Sequence, residues 1–130
     1  MTDPKASAKK IGVPGAFNAI DAPWSPHIAR DVNGQEIRLA KLDGAFDWHF
    51  HADADEAFFV IKGGFEMQFR DGAEEWSEFL NEGDLIVVPA GREHRPNAAA
   101  ECWVMMIAKA DERNTGNIDS DKTKRDLPRL

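Results

Sequence analysis

At 130 residues the chain has the size of one domain. Its formal net charge is −7, from 16 basic residues against 23 acidic ones with no basic cluster, which argues against nucleic acid or anionic lipid as partners. The lone cysteine, Cys102, excludes an intrachain disulfide and a thiolate zinc cluster, and no apolar run nears the roughly 18 residues that cross a bilayer.

Residues 1–15 are polar, lack the apolar stretch of a signal peptide and read as a flexible arm, so the expected location is cytoplasmic. Through 16–25, Pro23 and Pro26 resist any helix. Strand signals then begin. Ile28–Val32 and Gln35–Leu42 flank Asn33-Gly34, the dipeptide that most favours a tight type I′ hairpin. Phe46–His51 and Glu56–Ile61 follow as further strands. Phe65, Met67 and Phe69 then alternate with Glu66, Gln68 and Arg70, and Asp71-Gly72 turns this strand into Ala73–Leu80. Asp84–Val88 and Glu101–Lys109 complete the set. Gly63-Gly64, Gly83 and the Pro89–Gly91 stretch punctuate the strands, and no helical repeat stands out between positions 26 and 109. The expectation is an antiparallel all-β sandwich or barrel forming one domain over residues 16–110. Residues 111–130 are dense in charge, nearly free of large apolar side chains, and read as a partly disordered polar tail. Cys102, inside an apolar run, reads as a small buried hydrophobe; acting as a nucleophile, it would need a base beside it.

Three of the four histidines fall in two short clusters, Trp48–Gly63 and Gly83–Asn97. Side chains alternate along a strand, so His49 and His51 share a face. On its own this segment has a second solution, in which Phe46, Trp48 and Phe50 face the core and the histidines face water. Joined by Glu56 and His94, however, the pair offers three imidazoles and a carboxylate, a usable shell for a divalent first-row metal. His27 lies outside both clusters and reads as a rim residue. Asp47, Asp53 and Asp55 are expected to enrich the negative field around the site, and Met105 and Met106 fall on opposite faces of one strand.

The surrounding glycines and proline sharpen the pattern. The first series runs His49, His51, Glu56, Gly63; the second runs Gly83, Pro89, Gly91, His94. In order and spacing these resemble the two motifs of the cupin superfamily, tightly from Gly44 to Asn97 and more loosely from Ile28 to Lys109. Two spacings depart from the family pattern, Gly44 to His49 and His94 to Asn97, each short by one residue; neither Gly44 nor Asn97 is a metal ligand in the family.

The resemblance implies a small double-stranded β-helix, the jelly-roll-like cupin barrel. His49, His51, Glu56 and Phe58 would point inward and His94 would face them. The implied cofactor is one divalent transition metal, with Fe, Mn, Ni, Zn and Cu all compatible. The implied partner is a small ligand or substrate, with dioxygenase and isomerase chemistry as the family classes to test and a sensing or binding module as the alternative. Trp48, Phe50 and Phe59 would face outward, covered either by a second copy in a homodimer or by the strand at 26–32. Glu93 and Arg38 are conceivable acid–base groups, and the absence of tyrosine excludes a tyrosyl acid.

Overall fold

The computed structural model describes residues 8–130. Of the arm expected over 1–15, positions 1–7 lie outside the described residues. Short helical turns at Val13–Ala16 (α1) and Phe17–Ala19 lead into seven strands. The strands are β1 His27–Val32, β2 Gln35–Ala45, β3 Glu56–Lys62, β4 Phe65–Asp71, β5 Glu74–Leu80, β6 Leu85–Val88 and β7 His94–Lys109.

All pairings between these strands are antiparallel. The order β1-β2-β7-β3-β6 forms one run, and β4, carrying β5 on its other edge, joins through the first part of β7. β7 is the hinge of this arrangement. Its beginning pairs with β4 (Phe69 opposite His94) and its later part with β3 (Val60 opposite Val104), while β2 follows it along both stretches. Between them, Ala99–Glu101 face a single β2 residue, Asp43, and this bulge lets one strand serve both walls of a jelly roll. β7 therefore begins seven residues before the strand expected at Glu101–Lys109.

The hairpin at Asn33-Gly34 has positive φ at both residues (52° and 77°), as a type I′ turn requires. In the second hairpin the loop is Gly72-Ala73, one residue later than expected, since Asp71 still pairs with Glu74. Phe46–His51 is not a ladder strand. It runs extended and touches β7 at two points, Phe46 N–H donating to the Pro96 carbonyl and a bridge between His49 and His94.

Two apolar clusters hold the fold. The barrel interior takes Phe58 and Val60 from β3, Phe65, Met67 and Phe69 from β4, Leu80, Val88, and Cys102, Val104 and Met106 from β7. Outside the wall, Phe17 and Ile20 pack with Ile11, Val13, Leu39, Trp103 and Met105; Phe17 stacks on Trp103 with centroids 4.8 Å apart. The helical turns arise where none was expected because Pro14 stands in the first turn, the one helical position that does not need its missing N–H. Pro23 and Pro26 come after the turns have ended.

This covering explains where the outward aromatics go. Trp48 lies under the guanidinium groups of Arg70 and Arg95, at 4.4 and 4.7 Å. The strand at 26–32 covers none of the three, because β1 pairs at the sheet edge with β2. Phe59 is half-buried at the border of an open face. There Leu85–Phe59–Met105 and Val87–Ala57–Ile107 form two cross-strand rows, with Leu85 64% and Val87 53% exposed.

The C-terminal residues are not loose. Residues 111–130 form hydrogen-bonded turns, and Pro128 and Leu130 bond to the backbone of Ile28 along the β1 edge. Thr115 is fully buried, with Oγ1 bonded to the Ile118 carbonyl at 2.8 Å. No helix among the described residues is long and apolar enough to cross a membrane.

Candidate metal centre

His49 and His94 meet as a backbone pair, each N–H donating to the other's carbonyl at 3.1 and 2.9 Å. Since paired residues of an antiparallel bridge project to one face, this exchange sets both imidazoles side by side, their centroids 4.3 Å apart. His51, two residues on, projects to the same side, and Gly91 N–H donates to its carbonyl at 2.8 Å. Gly91 makes that turn with φ +81°, and Asp55 fastens it by accepting from Ala90 N–H at 2.9 Å. Asp55 thus holds a loop and lies outside the His49, His51, Glu56 and His94 cluster. Glu56 opens β3, one pleat before Phe58, so its carboxylate enters the interior beside the imidazoles.

One ligand atom from each of His49, His51, Glu56 and His94 lies within 4.8 Å of every other, and all four residues are buried. Bonds of about 2.1 Å put ligands on opposite sides of an ion about 4.2 Å apart, so small movements close this shell on a first-row metal. The hydrogen bonds supply a sharper test. Nδ1 of His49 donates to the Asp47 carbonyl, Nδ1 of His94 to the Arg92 carbonyl, and Nδ1 of His51 to a carboxylate oxygen of Glu112, each at 2.8 Å. A carbonyl oxygen only accepts, so the proton of His49 and His94 sits on Nδ1 and the Nε2 lone pair is left free. Nε2 of His51 and of His94 are buried without a hydrogen-bond partner. Such atoms are costly to bury unless something else engages them. The donor set fits a divalent metal.

The charges are strongly uneven. Burial, aided by repulsion from His94, pushes the His49 imidazole down to about 4, so it is neutral at pH 7. Burial also pulls on His51, but the Glu56 carboxylate facing one ring nitrogen and the Glu112 carboxylate bonded to the other outweigh it and raise its pKa. Burial works to raise Glu56, yet the His51 and His94 imidazoles facing it hold it well below the usual carboxylate range. Glu56 therefore stays an anion, its Oε1 lying 3.3 Å from His51 Nε2 and 3.6 Å from His94 Nε2.

A cavity of about 30 Å³ opens beside His49 and Glu56. Trp24, Leu42, Phe46, Phe58 and Met106 give it an apolar wall, and Asn114 adds an amide. Both ends of that amide are engaged, by the Lys122 carbonyl and the Lys124 N–H. Met106 lines the cavity and Met105 packs on the outer cluster, on opposite faces as expected. Neither conceivable acid–base residue reaches the cavity. Glu93 is outside, paired with Arg70, and Arg38 is fully buried against Glu36. Cys102 has its thiol pushed up to about 11 by burial, then by Glu82, so it is a core residue and no nucleophile.

Three contributors escaped the sequence reading: Trp24, Glu112 and Asn114. Trp24 follows Pro23, in a stretch noted only for resisting a helix. Glu112 sits just before, and Asn114 opens, the run Asn114-Thr115-Gly116-Asn117, turn-forming residues inside what charge density marks as a tail. That run was the available signal for an ordered segment.

A cupin-domain family model matches residues 31–107. Among solved structures, a cupin-2 domain-containing protein from Shewanella frigidimarina is 34% identical with a TM-score of 0.72, covering 81% of this chain and 97% of its own. Among curated proteins, the uncharacterized protein YdbB of Bacillus subtilis is 37% identical over 65 residues, 50% of this chain and 55% of that protein. An acireductone dioxygenase of Heterostelium pallidum is 39% identical over 72 residues, 48% of this chain and 49% of the other. The chain spans about half the length of these curated relatives. Matched over more than half its residues and folded like its solved relative, this chain belongs to the cupin family.

Proposed function

We propose that this cupin is a metal-dependent enzyme, with His49, His51, Glu56 and His94 holding one divalent transition ion. The observation that carries the reading is the pair of buried Nε2 atoms on His51 and His94 without hydrogen-bond partners, facing the Glu56 anion beside a cavity. When bound, such an ion supplies Lewis acidity and, for redox-active metals, a means of engaging oxygen. Four protein ligands leave one or two positions of a five- or six-coordinate ion for water or substrate.

The chain's own residues narrow the chemistry. The apolar wall excludes water and favours a small molecule with an apolar body and one or two oxygen donors, a diketone, enediol or phenol. About 30 Å³ holds a water or two, so an organic substrate enters by displacing part of the lining. Isomerisation by proton transfer calls for a positioned acid–base group, and Asn114 is a poor one. Dioxygenation is therefore the preferred class, and the acireductone dioxygenase relative is consistent with it. For the open face around Phe59, Leu85 and Val87 we propose a second copy of the chain as cover.

The test begins with metal. Protein purified without added metal is expected to carry close to one transition ion per chain, and His49→Ala or His94→Ala to lose it. Metal-free wild type from several expression conditions sinks the reading. With metal present, oxygen consumption across a panel of diketones, enediols and phenols marks a dioxygenase. Ligand binding without oxygen uptake or turnover marks a binding module.

A further inference from the structure

The three imidazoles are oriented in two different ways. His49 and His94 each lean on a carbonyl two residues earlier in their own segment. His51 instead depends on Glu112, 61 residues later and beyond the last strand. Glu112 is itself fixed, because its carbonyl accepts from Arg38 Nη2 at 2.9 Å and Arg38 is locked by Glu36. The same segment then grips the histidine strand directly. Phe50 N–H donates to Asn117 Oδ1 at 2.8 Å, and Asn117 N–H donates back to the Phe50 carbonyl at 3.0 Å. Between these anchors Gly116, at φ +57°, passes so close that a Cβ there would lie 2.2 Å from the Phe50 carbonyl oxygen and 3.1 Å from the His49 ring. Asn114 of this segment forms part of the cavity wall.

We infer that residues 112–117 are a strap that completes the metal centre, with Glu112 as the positioning residue for His51, so that docking of the strap and metal binding reinforce each other. The inference rests on the four-residue metal site proposed above. A carboxylate on the far nitrogen fixes the ring and makes the ligand nitrogen a better donor, and loss of such partners typically weakens metal binding about 10–100-fold. Linkage is reciprocal: whatever factor the docked strap adds to metal affinity, metal adds to docking. The strap also gives the cavity a wall that could be displaced without opening a strand ladder.

Cobalt(II) is a suitable probe, since its visible spectrum reports ligand geometry. In Glu112→Gln, cobalt affinity is expected to fall about 10–100-fold with altered absorption bands, while the metal-free thermal midpoint stays close to wild type. Gly116→Val, which displaces the strap without removing a charge, is expected to weaken cobalt comparably, and the exposed-site control Asp121→Asn to leave it unchanged. Wild-type protein supplies a test without substitution. Exchange of the Gly116, Asn117 and Ile118 amides, bonded to Arg113, Phe50 and Thr115, is expected to slow at least several-fold on adding cobalt. Wild type that binds cobalt with unchanged exchange at these amides, or Glu112→Gln that binds it equally well, overturns the strap while leaving the metal site standing. Wild type that binds no cobalt removes both.

Discussion

The two ends of the barrel interior are built by the same strands but settle their inward positions differently. Along β3, Glu56, Phe58 and Val60 pass at two-residue steps from proposed ligand to cavity wall to core. At the apolar end Val60, Phe65, Met67, Leu80, Cys102 and Val104 are almost completely buried and need nothing beyond one another. At the polar end His49, His51, Glu56 and His94 are as deeply buried, yet each needs a partner supplied from elsewhere. Close packing alone satisfies a methyl group; an imidazole nitrogen requires an acceptor, a donor or an ion. The apolar end should therefore carry stability regardless of metal, and the polar end should be conditional on it.

The largest expected effect tests the first half of that contrast. Phe65→Ala, at a fully buried position, is expected to cost about 3–5 kcal/mol in urea unfolding, by the same amount with and without metal. A cost that changes with metal would mean the two ends are energetically coupled. Next comes metal itself. Stripping a loaded protein with a chelator is expected to lower its stability by about 3–4 kcal/mol when free metal had stood at 100–1,000 times Kd, and His94→Ala is expected to show no chelator effect. A smaller effect, on reactivity, sharpens the same line. With the Cys102 thiol pushed up to about 11, roughly one in a thousand is ionised at pH 8, so alkylation of native protein should be negligible. Reaction should rise steeply only as the pH nears 11 or the chain unfolds, and chelator should leave it unchanged. Fast labelling on metal removal would extend the conditional region into the apolar end. The smallest effect on the monomer belongs outside the barrel. Phe59→Ser with Leu85→Ser should change stability little, and sedimentation should report a monomer where wild type is a dimer; a wild-type monomer ends that proposal.

The apolar end was the easier part to read. Alternation over Phe65–Arg70 and the Asn33-Gly34 turn are local signals, and local geometry was all they required. The four-residue cluster emerged from spacing combined with the Gly63, Gly83, Pro89 and Gly91 framework. Phe46–His51 illustrates the limit. Its alternation indicates an extended chain, but whether such a chain joins a ladder depends on neighbours that only the tertiary fold provides. Glu112 was hidden for a related reason. Its role comes from meeting His51 at a separation of 61 positions, and neither residue marks that meeting locally. Charge density made residues 111–130 look solvated, while Thr115 and Gly116 do the packing through small size.

The bent β7 strand has a further consequence, for the order of events during synthesis. It pairs with β2, β3 and β4 and carries His94, so neither barrel wall can close until residues 94–109 have left the ribosome. Until then His49, His51 and Glu56 lack the fourth member of their cluster, and β2, β3 and β4 have open edges that invite pairing with other chains. Barrel closure and assembly of the proposed metal site thus become a single late event. A nascent chain stalled before β7 is correspondingly a better client for a chaperone than for a metal.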